Sequence, residues 1–218
     1  MKVCTDSCIL GAYTPVNQAQ NILDIGTGTG LLALMVAQRS SAQIDAVEVN
    51  DLAAAQAREN ITGSPWAHRV QVHHQSLQEF AQMNQKSFDL IICNPPFYAA
   101  SQHSPDKARN VAMHSQELSL AEVTNFCTRF LTPTGQLYIL LPPSESRHFA
   151  NLAQKADLYC CAVLNIYTTT AGKHIRLIQG FSQAPVDFMA KQNLFIRNPD
   201  NSYTQAFRDL LREYYLIF

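Results

Sequence analysis

The sequence predicts an α/β fold: a doubly wound, mostly parallel sheet of seven strands, with helices on both faces and an antiparallel hairpin at its C-terminal end. Three observations predict it. Short apolar runs alternate with helical patterns over the first two thirds of the chain. The first of those runs stops at a glycine-rich turn. After Pro143 the alternation gives way to two longer β segments around a Thr168-Thr169-Thr170-Ala171-Gly172 turn.

In chain order, Ile22-Leu23-Asp24-Ile25 reads as a buried strand stopped by Gly26, and Leu31–Arg39 as a helix. Ile44–Val49 is a second strand, and the Ala-rich Leu52–Asn60 a second helix. Val70–His73 is a third strand. Ser76-Leu77-Gln78-Glu79 fits a capping box that opens a short helix. Phe88–Cys93 is a fourth strand, ended by two prolines. Leu118–Phe130 is helical, Gly135–Leu141 a fifth strand and Ser144–Lys155 a further helix. Tyr159–Thr168 and His174–Phe181 form the hairpin, and a helix near Tyr203–Tyr215 ends the pattern. Parallel strands buried on both faces account for the near-continuous apolar runs.

The chain has 218 residues, which suits one well-buried domain, and no boundary is expected within 1–218. No apolar run reaches the roughly 18 residues needed to span a bilayer, and the start lacks a signal-peptide core. A cytoplasmic protein, monomeric and free of metal and membrane, is the expectation. The six cysteines form no C-x-x-C pair and no zinc-like spacing, so free thiols are expected. Net charge is −1, which excludes a global basic field. Residues 1–100 carry five Lys/Arg against eight Asp/Glu and residues 101–218 eleven against nine, so the second part is mildly basic.

The first strand runs into Asp24-Ile25-Gly26-Thr27-Gly28-Thr29-Gly30. Glycines at a strand-to-helix turn let the backbone approach a ligand closely. A dinucleotide fingerprint needs G-x-G-x-x-G/A, and here that last position is Leu31. A phosphate loop needs G-K-S/T, and neither follows Gly30. The pattern resembles instead the first motif of S-adenosylmethionine methyltransferases, whose cofactor has no phosphate and needs carboxylate and backbone partners. Glu48, at the end of the second strand, stands where such a unit offers a carboxylate to ribose hydroxyls. Ser76 follows the third strand where many relatives have aspartate; its hydroxyl either replaces that contact or only caps the next helix.

Asn94-Pro95-Pro96-Phe97 is the most specific motif. Two prolines fix φ and remove two N–H donors, so the chain must turn at the C-terminal edge of the sheet, where open α/β sheets bind ligands. The Asn94 side-chain carbonyl and the Pro95 backbone carbonyl offer two acceptors to the two N–H groups of an exocyclic amine. So held, the amine's lone pair leaves conjugation and attacks a methyl group in line. Phe97 is placed to stack on the base, worth about 1–3 kcal/mol, and a stacked base must flip to reach the pocket. Tyr98 is either a second wall or a core aromatic. His73, His74, His103 and His114 have no metal spacing.

The opening Met1-Lys2-Val3-Cys4-Thr5-Asp6-Ser7-Cys8-Ile9-Leu10-Gly11-Ala12 resembles the M-K-V-G-T-D-G-x-L-L-G-A-W start of the bacterial tRNA1(Val) (adenine-37-N6)-methyltransferases, which are Rossmann-like methyltransferases. The tail Phe195-Ile196-Arg197-Asn198-Pro199-Asp200-Asn201-Ser202-Tyr203, followed by Phe207 and Tyr214-Tyr215-Leu216, is similar to that family too, so the likeness covers nearly the whole chain. It implies methyl transfer from S-adenosylmethionine to N6 of adenosine 37 in tRNA1(Val). It further implies that Asp24, Gly26, Thr27, Gly28, Gly30 and Glu48 bind the cofactor, that Asn94, Pro95 and Phe97 hold the amine, and that Lys2, Thr5 and Asp6 lie near the cofactor's methionine end. Cys4 and Cys8 replace small residues of the family, and relatives usually carry a further segment before the M-K-V motif. A local basic patch from Lys107, Arg109, Lys173, Arg176, Lys191 and Arg197 is the expected tRNA contact.

Other readings share parts of the pattern. Release-factor glutamine N5-methyltransferases use the same Asn-Pro-Pro-aromatic corner but usually carry an N-terminal helical domain. Ribosomal RNA base methylation keeps the chemistry with another substrate. A catalytically inactive RNA-binding subunit needs neither motif intact.

Overall fold

The structure is a computed structural model and describes residues 4–96 and 118–218. The chain enters through helix α1 (Thr5–Tyr13), then alternates β1 (Asn21–Ile25), α2 (Leu31–Arg39), β2 (Gln43–Glu48), α3 (Asp51–Thr62), β3 (Val70–His74), α4 (Leu77–Met83) and β4 (Phe88–Cys93). After residue 117 it continues as α5 (Leu120–Phe130), β5 (Leu131–Leu141), α6 (Pro143–Lys155), β6 (Tyr159–Thr169), β7 (His174–Ser182), β8 (Ala190–Arg197) and α7 (Gln205–Leu211).

The eight strands form one sheet in the order β3-β2-β1-β4-β5-β7-β6-β8. The first five named are parallel, and β7 is antiparallel to both β5 and β6. This is the doubly wound plan with its C-terminal hairpin. It departs from the seven expected strands by one: β8 adds to the far edge, parallel to β6. Its Lys191, Gln192 and Asn193 are exposed and only Leu194 is buried, so the strand lacks a clear apolar signature.

Each face of the sheet carries a separate apolar core. One gathers α1, α2, α7 and Ile61 of α3 against Ile22, Ile44, Leu140, Leu164 and Ile178. The other packs α4, α5 and α6 against Leu23, Ile25, Ile91, Ile139 and Phe181. Adjacent strand residues point to opposite faces, which is why Ile22 and Leu23 serve different cores. The capping box at Ser76 is present: its side chain accepts from Glu79 N, and Glu79 reaches back to the Ser76 amide. Ser119 opens α5 in the same way. Gly135 lies under β4, where a Cβ would sit 2.7 Å from Phe88 O, so only glycine fits.

Helix α1 had no sequence signal. Its Cys8–Ala12 run is buried continuously, between α2, α7 and β5. A helix covered on all sides has no amphipathic stripe to read.

Candidate active site

The parallel register brings the glycine loop and the proline corner together. Ile25 of β1 is paired with Val47 of β2 on one side and Cys93 of β4 on the other. Gly26 and Asn94 are therefore the next residues out of adjacent strands, at the carboxyl end of the sheet.

Gly26, Gly28 and Gly30 have φ of 68°, 58° and 85°. L-residues with a Cβ rarely adopt these values, so the turn requires glycine. The loop's amides are almost fully used inside the protein. Gly26 N and Thr27 N donate to Val47 O at 2.9 and 3.0 Å, and Gly30 N donates to Thr27 O at 3.0 Å. Gly28 N donates to Glu48 Oε2 at 2.8 Å. A phosphate-binding loop must offer such amides to its ligand; this one has committed them. A Cβ on Gly26 would meet none of the described residues within 4 Å, so they leave open space in front of the loop.

Two carboxylates organise the turn. Asp24 is fully buried under it. Its Oδ2 accepts from Thr27 Oγ1 at 2.6 Å and from Ala33 N, in the first turn of α2, at 3.1 Å. Its Oδ1 is buried with no hydrogen-bond partner among the described residues. Burial pushes the Asp24 carboxyl up to about 7, against the opposing pull of the Thr27 and Ala33 donors and with a smaller push from Glu48. Glu48 holds the loop through Gly28 and, through Oε1, accepts from Asn50 N at 2.8 Å. Each of its oxygens keeps a second lone pair for an incoming hydroxyl.

At the corner, Asn94 Nδ2 donates to Ser7 Oγ at 2.7 Å. This fixes the side-chain amide and leaves Asn94 Oδ1, a buried acceptor, without a partner among the described residues. Pro95 is buried beside it. Ser7 was not singled out from the sequence. It lies 87 residues from Asn94, and only the docking of α1 brings the two together. The neighbouring residues of α1 are also tied down. Asp6 Oδ2 forms an ion pair with Arg176 Nε of β7 at 3.0 Å, and the Tyr215 hydroxyl lies 3.5 Å from Thr5 Oγ1.

The remaining candidates divide. Ser76 uses its hydroxyl in the capping box, donating to Glu79 Oε2 at 2.8 Å. Phe97, Tyr98, His103, Lys107, Arg109, His114 and Lys2 lie outside the described residues. His73 binds Asp45 Oδ1 at 2.7 Å, alongside Lys86 on the other carboxylate oxygen, away from the corner. A concavity of about 400 Å³ lined by Asp45, Arg58, His68, Arg69 and Lys86 opens at the amino ends of β2 and β3 and includes none of the candidate residues. Among the described residues no group of three His, Cys, Asp or Glu could hold a metal, no helix is long and apolar enough to cross a membrane, and all six cysteines are free.

The Methyltransferase small domain family matches residues 3–144. A tRNA1(Val) (adenine(37)-N6)-methyltransferase of Cytophaga hutchinsonii is 41% identical over 218 residues, covering 99% of this chain and 91% of the relative. The protein of that name from Serratia proteamaculans is 37% identical, covering 100% and 85%. Among solved structures, a "predicted O-methyltransferase" of Agrobacterium tumefaciens superposes with a TM-score of 0.73 at 17% identity over 95% of each chain. A methyltransferase from Pyrococcus furiosus gives 0.60 at 18% identity over 84% of each. Those two superpositions speak for the fold alone. The sequence relatives reach further: the chain belongs to the methyltransferase small-domain family and, within it, to the tRNA1(Val) (adenine(37)-N6)-methyltransferases.

Proposed function

We propose that this chain, acting as a monomeric single-domain enzyme of the cytoplasm, transfers the methyl group of S-adenosylmethionine to N6 of adenine, at adenosine 37 of tRNA1(Val). The observation that carries the reading is the buried Asn94 Oδ1 at the end of β4, unpartnered among the described residues, beside a glycine loop in front of which those residues leave open space. Bound there, the cofactor supplies an electrophilic methyl group on a sulfonium. The residues fit it. The loop needs no phosphate, Glu48 has lone pairs for hydroxyl donors, and Asp24 Oδ1 is an acceptor still to be satisfied. Asp24, Gly26, Thr27, Gly28, Gly30 and Glu48 hold the cofactor, and Thr5 and Asp6 border it from α1. Ser76 contributes through the cap that sets the start of α4.

The chain's own chemistry is positioning. Asn94 Oδ1 and the Pro95 carbonyl each accept one N–H of the adenine amine, and Phe97 stacks on the ring. Two hydrogen bonds orient the nitrogen lone pair toward the methyl group, the gain that a fixed reacting geometry brings. A sulfonium is already activated, so no strong general base is required.

The test offers labelled cofactor with total tRNA, ribosomal RNA and release factor in parallel, followed by digestion. Label in N6-methyladenine at position 37 of tRNA1(Val) supports the reading. Label in glutamine ends it, and label in adenine of ribosomal RNA removes the substrate while keeping the chemistry.

A further inference from the structure

The order of strands at the carboxyl edge of the sheet fixes where the far end of the cofactor lies. Across that edge, Asn94 leaves β4, the glycine loop leaves β1, Glu48 ends β2 and His74 ends β3. Each step is roughly 5 Å at ordinary strand spacing. A ligand whose methyl group faces Asn94 and whose ribose hydroxyls meet Glu48 carries its base one strand further, at the end of β3. There His74 is the register partner of Glu48, and Gln75 N donates to Glu48 O at 3.1 Å. The turn from β3 into α4 is thereby held beside Glu48.

An adenine brings flat apolar faces and an exocyclic amine with two N–H donors. Apolar surface is at hand. Val49, next to Glu48, is 46% exposed, and Leu52, in the first turn of α3, is 81% exposed. The amine needs an acceptor, and the side chains around the turn differ in what they have left to offer. The Ser76 hydroxyl is largely spent: it donates to Glu79 Oε2 at 2.8 Å and accepts from Glu79 N at 3.2 Å. Asp51 faces His74, its Oδ1 3.7 Å from Nδ1.

Glu79 is placed otherwise. Its Oε2 accepts from both the Ser76 amide and the Ser76 hydroxyl at 2.8 Å, which draws the carboxylate back over the start of α4, toward the end of β3. Both bonds fall on Oε2, so Oε1 keeps its lone pairs. The Ser76 amide and hydroxyl, with a smaller pull from His74, hold the carboxyl below the usual carboxylate range, so it is ionised at neutral pH. A long, exposed side chain ordinarily samples many rotamers; the two bonds fix this one before any ligand arrives. A carboxylate oxygen accepting from an amine makes a charge-assisted hydrogen bond, stronger than a hydroxyl would make.

We infer that Glu79 Oε1 is the acceptor for the amine of the cofactor's adenine, so that the capping box of α4 is also part of the cofactor site. This rests on the functional reading above, and the experiment separates the two. Calorimetry measures Kd for S-adenosylhomocysteine and for its 6-deamino analogue, which has hydrogen in place of the amine, with the wild type, Glu79→Ala and Ser76→Ala. The wild type should prefer the adenine compound by about tenfold, the scale of a hydrogen bond to a charged group. Glu79→Ala should bring the two values within about twofold of each other. Ser76→Ala should keep most of the preference, because the Ser76 amide still anchors Glu79. Each ratio compares two ligands on one variant, so a loss of helix stability cancels. A wild type without preference overturns the contact, whether or not Glu79→Ala folds. So does a Glu79→Ala variant that keeps the wild-type ratio; if Ser76→Ala loses it as well, the amine belongs to the hydroxyl instead. These outcomes are independent of which RNA is methylated. A wild type that binds no S-adenosylhomocysteine overturns the functional reading, and the Glu79 contact with it.

Discussion

Asn94 is held at one end and open at the other, and that asymmetry sets what its mutation does. Asn94→Ala removes an acceptor that acts only on the target amine, so kcat should fall by about 10²-fold, the scale of a lost reacting geometry, with cofactor Kd and Tm little changed. Ser7→Ala removes only the group that fixes the amide. A net hydrogen bond is worth about 0.5–1.5 kcal/mol, so kcat should fall by about 2- to 10-fold with cofactor affinity preserved. Equal losses in both variants would show that Ser7 does more than hold Asn94. Asp24 gives a pH signature. Its carboxyl sits at about 7 in the folded chain against 3.8 as a free side chain. Below the lower value both states are protonated. Between the two values the folded state keeps a proton that the unfolded state releases, so stability falls as pH rises through that window and levels off above it. Urea midpoints of the cofactor-free protein should drop between pH 5 and pH 7, and Asp24→Asn should remove most of that slope.

At the scale of elements, legibility followed how each segment is covered. β1, α2, β4 and α6 were readable because one periodicity governs each and a glycine, proline or cap ends it. α1 is buried on all sides and β8 is an exposed edge, so neither shows the alternation that marks half-buried structure. The same contrast holds at the site. Asp24, the three glycines and Glu48 lie within one strand–turn–helix–strand unit, and their spacing is local. The Ser7–Asn94 contact and the Asp6–Arg176 pair join α1 to distant strands, and no local pattern encodes such docking. The loop itself carries an element-scale prediction. Gly26→Ala places a methyl group in open space but forces an L-residue to φ of 68°, a strain of about 1–2 kcal/mol. Tm should fall modestly, whereas calorimetry should show a larger loss of cofactor affinity, since the methyl group occupies the space in front of the loop. A normal Kd would place the cofactor elsewhere.

For the whole molecule, sixteen Lys and Arg against seventeen Asp and Glu leave no long-range field to gather RNA. Affinity must then come from a few local phosphate contacts combined with stacking, and these two parts respond differently to salt. Arg176 is paired with Asp6, so the described cations on this side are chiefly Lys173 and Arg197 at the carboxyl edge and Lys191 farther back along β8, and Arg197 already lies 4.2 Å over the Tyr203 ring. For single-stranded contacts, log K falls with log salt at about −0.7 per phosphate neutralised, so three contacts give a slope of about −2. Lys107 and Arg109, if engaged, raise its magnitude to about 3.5 by the same rule. Binding of the stem-loop, measured by fluorescence anisotropy from 50 to 300 mM salt (on the order of the range over which counterion release is read), should therefore show a shallow line. Lys173→Glu should flatten it further. Phe97→Leu, which removes the aromatic proposed to stack on the base, should lower affinity at every salt concentration and leave the slope alone, because stacking releases no counterions. A slope of about −6 or steeper would mean that RNA is held mainly by charge. The near-neutral chain would then need a second basic surface beyond the edge where Asn94 leaves β4.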